Sequence, residues 1–251
     1  MLGPTRDEGG TERVAAALID LRAYEALGRT EVPGLEGRHH FCFARYQHPD
    51  RLQWDRLRIW NDCRLEAGAS RPPAHCDNFD IVTIVLEGAL QRPGRFGRTC
   101  QTASGEAQIL CAGRASAIGL EAAGGAAVRF HEIWLRSDRR DAAPKCSVVQ
   151  LPSAAGWNCL ASAGGDGRTG LTSNASVLVA NLSPGCPLQR NLAGSTHAYL
   201  VPISGSVRLN GQHLAQGSGA AISGEERLSI EADAGQAQAV LVEMGAAAAL
   251  D

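Results

Sequence analysis

Residues 71–94 read RPPAHCDNFDIVTIVLEGALQRPG. One His lies beside one Cys, a β-branched segment follows at Ile81–Leu86, and the chain turns at Glu87-Gly88. Two histidines at i and i+2 would mark the mouth of such a strand in a metal-binding β-barrel. Here His75 stands alone between Ala74 and Cys76. Pro72-Pro73 on one side and the Ile81 strand on the other hold the segment.

The same rhythm runs along the chain. Short β-branched or small apolar segments recur between glycines at Ser176–Asn181, Ala198–Ile203, Ser206–Leu209 and Ala237–Val242. That spacing predicts a sandwich or barrel of short antiparallel strands. Asn210-Gly211, between Ser206–Leu209 and Gln212–Leu214, suits a type I′ hairpin turn, which needs positive φ at both central residues. VLEGAL at Val85–Leu90 is echoed by PISGSV at Pro202–Val207. Each copy leads to a small apolar strand, GEAQIL from Gly105 and GSGAAIS from Gly217. A repeat of that size predicts a duplicated domain, not a solenoid. The expected division is a flexible N-terminus over 1–13, one barrel over 14–140 and a second over 147–251. Ala15–Leu27 carries a weak helical signal.

With 251 residues, 44% of them hydrophobic and 20% charged, the chain can bury a core. A formal net charge of −2 with scattered basic residues gives no surface for nucleic acid or anionic membrane. The densest basic run, RSDRRDAAPK from Arg136, is broken by acids and reads as a solvated loop. No apolar run reaches the roughly 18 residues that span a bilayer. The acids ahead of a short apolar patch in MLGPTRDEGGTERVAAALIDL do not resemble a secretory signal, so a cytoplasmic location is expected. Eight cysteines without CxxC spacing read as reduced thiols, several of them buried. Neither a GxSxG nucleophile motif nor a phosphate-binding glycine motif occurs, and AGGDGRTG at 163–170 precedes a strand, so it reads as a loop.

An ordered series of segments resembles the pirin family of bicupins: RHHFCFARYQHPD at 38–50, LRIWNDCRLEAGASRPPAHCDNFDIVTIVLEG at 57–88, SGEAQILCAGRASAIGLE at 104–121, EIWL at 132–135 and AYLVPISGSVRLNGQHLAQGSGAAISGEE at 198–226. The resemblance implies an all-β fold of two tandem cupin jelly-roll barrels. It implies one metal, commonly iron, held in the N-terminal barrel by three His and one Glu. It further implies flavonol oxidation of the quercetinase type, or a role as a transcriptional cofactor. In RHHFCF the resemblance makes the segment structural, with His39 hydrogen-bonded within the fold.

Carried over position by position, the first two ligand positions fall on Ala74 and Cys76, and His75 takes the family's proline position. In an extended segment His75 then points away from the face that Ala74 and Cys76 share. A local bulge is the one device that would re-aim it. Ungapped from Ala112-Gly113, the third and fourth positions fall on Ile118 and Leu120. A one-residue insertion moves them to Gly119 and Glu121. Neither register supplies a third His. Once a metal is lost, a remaining charged ligand is costly to keep buried, so the apolar replacements are mutually consistent. They predict an apolar pocket and no metal. A rearranged soft site from Cys76, His131, Glu121 and Glu132 is the alternative, with His131 and Glu132 unable to face inward together.

Three functions follow as expectations. The first is a metal-free binding or regulatory protein, taking a small apolar molecule or a protein partner. The second is a quercetinase-type dioxygenase with iron or another divalent metal. The third is a metal-free cupin isomerase, cyclase or lyase, using His75, Cys76, Asp80 or Glu121 as acid or base.

Overall fold

The alternating segments fold into short strands grouped in four antiparallel sheets. The computed structural model describes residues 17–92, 100–114, 117–166, 168–192 and 197–245; the expected flexible segment 1–13 lies outside them. In the N-terminal half, one sheet runs β12 (Lys145–Gln150), β9 (Glu106–Cys111), β6 (Phe79–Glu87), β11 (Val128–Arg136), β4 (Leu57–Leu65), β3 (Leu35–His39), β2 (Gly28–Val32). Facing it is β5 (Ser70–His75), β10 (Ala117–Ala123), β7 (Ala89–Arg92), β8 (Cys100–Ala103).

The C-terminal half repeats this plan. Its large sheet runs β1 (Leu18–Arg22), β19 (Gly219–Ser223), β16 (His197–Ser204), β21 (Ala237–Met244), β14 (Ala175–Leu182), β13 (Gly156–Ser162). Its small one runs β15 (Leu188–Asn191), β20 (Arg227–Ala232), β17 (Val207–Leu209), β18 (Gln212–Leu214). The echo between VLEGAL and PISGSV is therefore structural: β6 turns into β7 at Gly88 as β16 turns toward β17 at Gly205. Both glycines have positive φ, 71° and 68°. A Cβ on Gly88 would meet the Ala127 carbonyl at 2.3 Å, so only glycine fits there. Asn210-Gly211, both with positive φ, joins β17 to β18 as expected.

The strands are shared across the expected boundary at 140–147. β12 pairs with β9 along all of Lys145–Gln150, so it completes the N-terminal sheet. β1, expected to begin the N-terminal barrel, instead pairs with β19 of the C-terminal sheet, Leu18 opposite Ser223 and Arg22 opposite Gly219. Both edges would otherwise present unpaired N–H and C=O groups. Within Ala15–Leu27, the described residues form this strand and a 3-10 turn at Tyr24–Ala26. No helix among the described residues is long and apolar enough to cross a membrane.

The two large sheets pack face to face. Trp60, Val82, Ile84, Ile109, Ile133 and Leu135 from one side meet Val177, Val179, Tyr199, Val201, Val240 and Val242 from the other. At this interface the His40 ring bonds the Tyr199 hydroxyl at 2.9 Å, and Trp60 donates its indole N–H to His131 Nδ1 at 3.2 Å. Both imidazoles are fully buried, and burial pushes both below the usual histidine value. Unfolding lets them take up protons near the ordinary histidine value of 6.5, which the folded state refuses. The penalty is absent above that pH and grows as pH falls toward the folded values. Stability measured by urea denaturation is expected to fall as pH drops below about 6.5, by at most about 1.4 kcal/mol per pH unit for each ring. His131→Gln, which keeps an acceptor for Trp60, should reduce that slope; an unchanged slope would remove His131 from the account.

Candidate functional site

Alternation along the strands decides what fills the N-terminal barrel. On β11, His131, Ile133 and Leu135 face the C-terminal barrel, while Phe130, Glu132 and Trp134 face inward. The interior has two apolar layers. One holds Cys63, Leu65, Val85, Leu90, Leu120 and Phe130. The other, toward the end of β5 where Ala74 and His75 are exposed, holds Ile59, Cys76, Ile81, Ala112, Ile118 and Trp134. Residues lying between these two along the same strands (Asn61 on β4, Thr83 on β6, Glu132 on β11) are polar and buried.

Glu132 is the centre of that polar layer. Its side chain is fully buried, and Oε1 accepts from Arg71 Nη2 at 2.7 Å with Arg92 Nη2 at 3.6 Å. Arg92, 4% exposed, also donates to the Gln108 side-chain oxygen and, at 3.1 Å, to Thr83 Oγ1. Gln108 donates to Thr102 Oγ1 at 3.3 Å. Burial pushes the Glu132 carboxyl up, but the Arg71 ion pair and hydrogen bond, followed by Arg92, outweigh it and hold it below the usual glutamate value. Beside this layer His39 bridges Thr30 Oγ1 and Asn61 Oδ1, both at 2.8 Å, the hydrogen-bonded role expected of it.

Arg71 enters the barrel because of a bulge. Ala74 lies opposite Ile118, but Leu120 lies opposite Arg71, so Pro72 and Pro73 together oppose Gly119. Directly opposed side chains share a face. The extra residue therefore turns Arg71 to the inner face that Leu120 occupies. The bulge lies on the far side of the prolines from His75 and does not re-aim it.

The expected site residues separate accordingly. Cys76 is fully buried, with burial raising its thiol to about 11, so it is protonated at neutral pH. Ile118 is 6% exposed and Leu120 fully buried, both inward, as the ungapped register requires. Ala74 sits exposed at the barrel mouth, and so does His75. Glu121 is exposed on the outer face of β10, opposite Ser70 and Gln91. Asp80 faces the C-terminal barrel: its oxygens accept from Thr172 N and Oγ1, each at 2.7 Å, and Ser173 N at 2.6 Å. An acid or base role in the barrel interior is thereby closed to Asp80. His131 and Glu132 lie on opposite faces, as expected.

The predicted apolar pocket needs correction. The barrel interior does have apolar layers, but the layer between them is charged, because Arg71 and Arg92 reach into it. These two arginines were not among the sequence-derived candidates. Arg92 was legible in ALQR, where it alternates with the inward Leu90. Arg71 was not, since its direction depends on the bulge.

The donor chemistry does not match a divalent metal centre. Ala74, Ile118 and Leu120 offer no side-chain donor, Cys76 offers one sulfur among aliphatic groups, and Glu132 is engaged by guanidinium groups. Among the described residues, no three His, Cys, Asp or Glu side chains cluster so as to hold a metal ion.

Residues 20–134 match the family model described as pirin, and 159–244 match that of the quercetinase C-terminal cupin domain. The protein PA1210 of Pseudomonas aeruginosa is 32% identical over 223 residues, covering 86% of this chain and 95% of the relative. A quercetin 2,3-dioxygenase of Escherichia coli is 26% identical over 219 residues, covering 86% and 94%. The crystal structure of the bacterial pirin YhhW from Escherichia coli in complex with nickel(II) superposes with a TM-score of 0.83 at 23% identity, covering 92% of this chain and 100% of that one.

Proposed function

This chain belongs to the pirin family, and from that premise we propose that its N-terminal barrel is a metal-free binding site, serving a binding or regulatory role in place of flavonol oxidation. The observation that carries this reading is the Arg71–Glu132–Arg92 cluster in the barrel interior. Two guanidinium groups supply positive charge inside the barrel, and the Glu132 carboxyl group pairs with them instead of being free to ligate a cation. The apolar side chains at three of the four aligned ligand positions support it.

The name quercetin 2,3-dioxygenase carried by the Escherichia coli relative favours the competing reading. One experiment separates them. Protein grown in iron-, nickel- and manganese-supplemented medium is analysed for metal per chain and assayed for quercetin loss under dioxygen. The metal-free reading expects substoichiometric metal and no turnover above the protein-free control. A stoichiometric metal that is lost on Cys76→Ala, together with quercetin turnover, would establish a rearranged dioxygenase centre and defeat the proposal.

A further inference from the structure

The polar layer is not neutral. Arg71 and Arg92 bring two positive charges and Glu132 one negative, leaving one positive charge in excess. Both guanidinium groups are at least nine-tenths buried, with side-chain exposures of 10% and 4%. Three of their nitrogens, Arg71 Nε and Nη1 and Arg92 Nη1, have no hydrogen-bond partner among the described residues, nor does Asn61 Nδ2. Buried donors of this kind are normally satisfied. Water could satisfy the donors but would leave the charge. The thiols of Cys63 and Cys76, pushed to about 12 and about 11 by burial, do not supply the missing negative charge. Asp62 points to the other face of β4, where it pairs with Arg129 at 2.8 Å.

We propose that the N-terminal barrel binds a small monocarboxylate whose head lies against the unpaired nitrogens of Arg71 and Arg92 and whose apolar tail lies in the layer of Ile118, Cys76 and Trp134. A carboxylate matches the fork of guanidinium donors and the single excess charge. A dianion would bring a charge that nothing opposes. The tail direction follows from the apolar layer, which lies between the charged layer and the exposed end of β5, flanked by Phe43 and Phe79. This inference rests on the metal-free reading of the same interior.

The test titrates acetate and benzoate into the full-length protein, with acetamide and benzamide as neutral isosteres and sodium chloride holding ionic strength. Heat of binding and Tm are both followed. The carboxylates should bind and raise Tm, benzoate more tightly than acetate, while the amides and chloride do neither. Arg92→Met removes the excess charge and leaves the Arg71–Glu132 pair, so it should weaken carboxylate binding by about tenfold or more. Glu132→Gln removes the internal competitor and should tighten it. Equal effects of acids and amides, stabilisation by chloride alone, or no carboxylate binding would each overturn the proposal. Should Arg92→Met not fold, the wild-type comparison of acid with amide decides. Metal content measured on the same preparation separates the two failures. Bound metal defeats the metal-free reading, whereas metal-free protein that ignores carboxylates defeats only the ligand assignment.

Discussion

Glu132→Gln is expected to cost about 3–5 kcal/mol in denaturant unfolding, the usual price of removing one partner from a buried ion pair. The variant leaves Arg71 and Arg92 facing each other with no negative charge between them. The triple variant Arg71→Met, Glu132→Leu, Arg92→Met removes all three charges and fills the layer with apolar volume. It should return to within about 2 kcal/mol of the wild type, because apolar replacements of whole buried ion clusters are commonly neutral or stabilising. If the triple variant proves less stable than Glu132→Gln alone, the cluster is a net contributor to stability. Its retention would then need no functional explanation.

The second large effect is expected at Asp80. Its buried side chain collects two backbone N–H groups and one hydroxyl from Thr172 and Ser173, tying β6 to the loop before β14. Asp80→Ala should lose about 2–4 kcal/mol, combining lost hydrogen bonds with stranded donors in a buried setting. Asp80→Asn retains one acceptor oxygen and should lose less. Calorimetry reads both variants. An Asp80→Ala protein with an unchanged Tm would show that Thr172 and Ser173 find other acceptors.

Much of the architecture can be read from the residues. Glycine punctuation and the VLEGAL and PISGSV echo predict two similar barrels, and the ladder order of the two halves matches apart from the extra edge strand β2. The inward set Cys76, Ile118 and Leu120 follows from period-2 alternation carried across a family resemblance. The first thing that failed to follow has a plain physical cause: alternation holds only until a register shift. Between Ile118 and Leu120 the ladder slips against Pro72-Pro73, and a side chain that simple counting sends outward, Arg71, turns in. The strand exchange was equally out of reach, because nothing in LIDLR says which of two similar sheet edges it will cover. Asp80 shows a third limit. An acid next to a predicted pocket looks chemical until its partners, 92 and 93 residues away, are known.

The placement of β1 has a consequence for biosynthesis. Its residues leave the ribosome some two hundred residues before their partner β19. At roughly 5–20 residues per second, β1 waits about ten seconds or more with its own edge open. A truncated C-terminal half, lacking Leu18–Arg22, would keep the opposite defect and expose β19 to other chains. The two barrels look like separable copies, but dividing the gene between them would yield two fragments that need each other in trans.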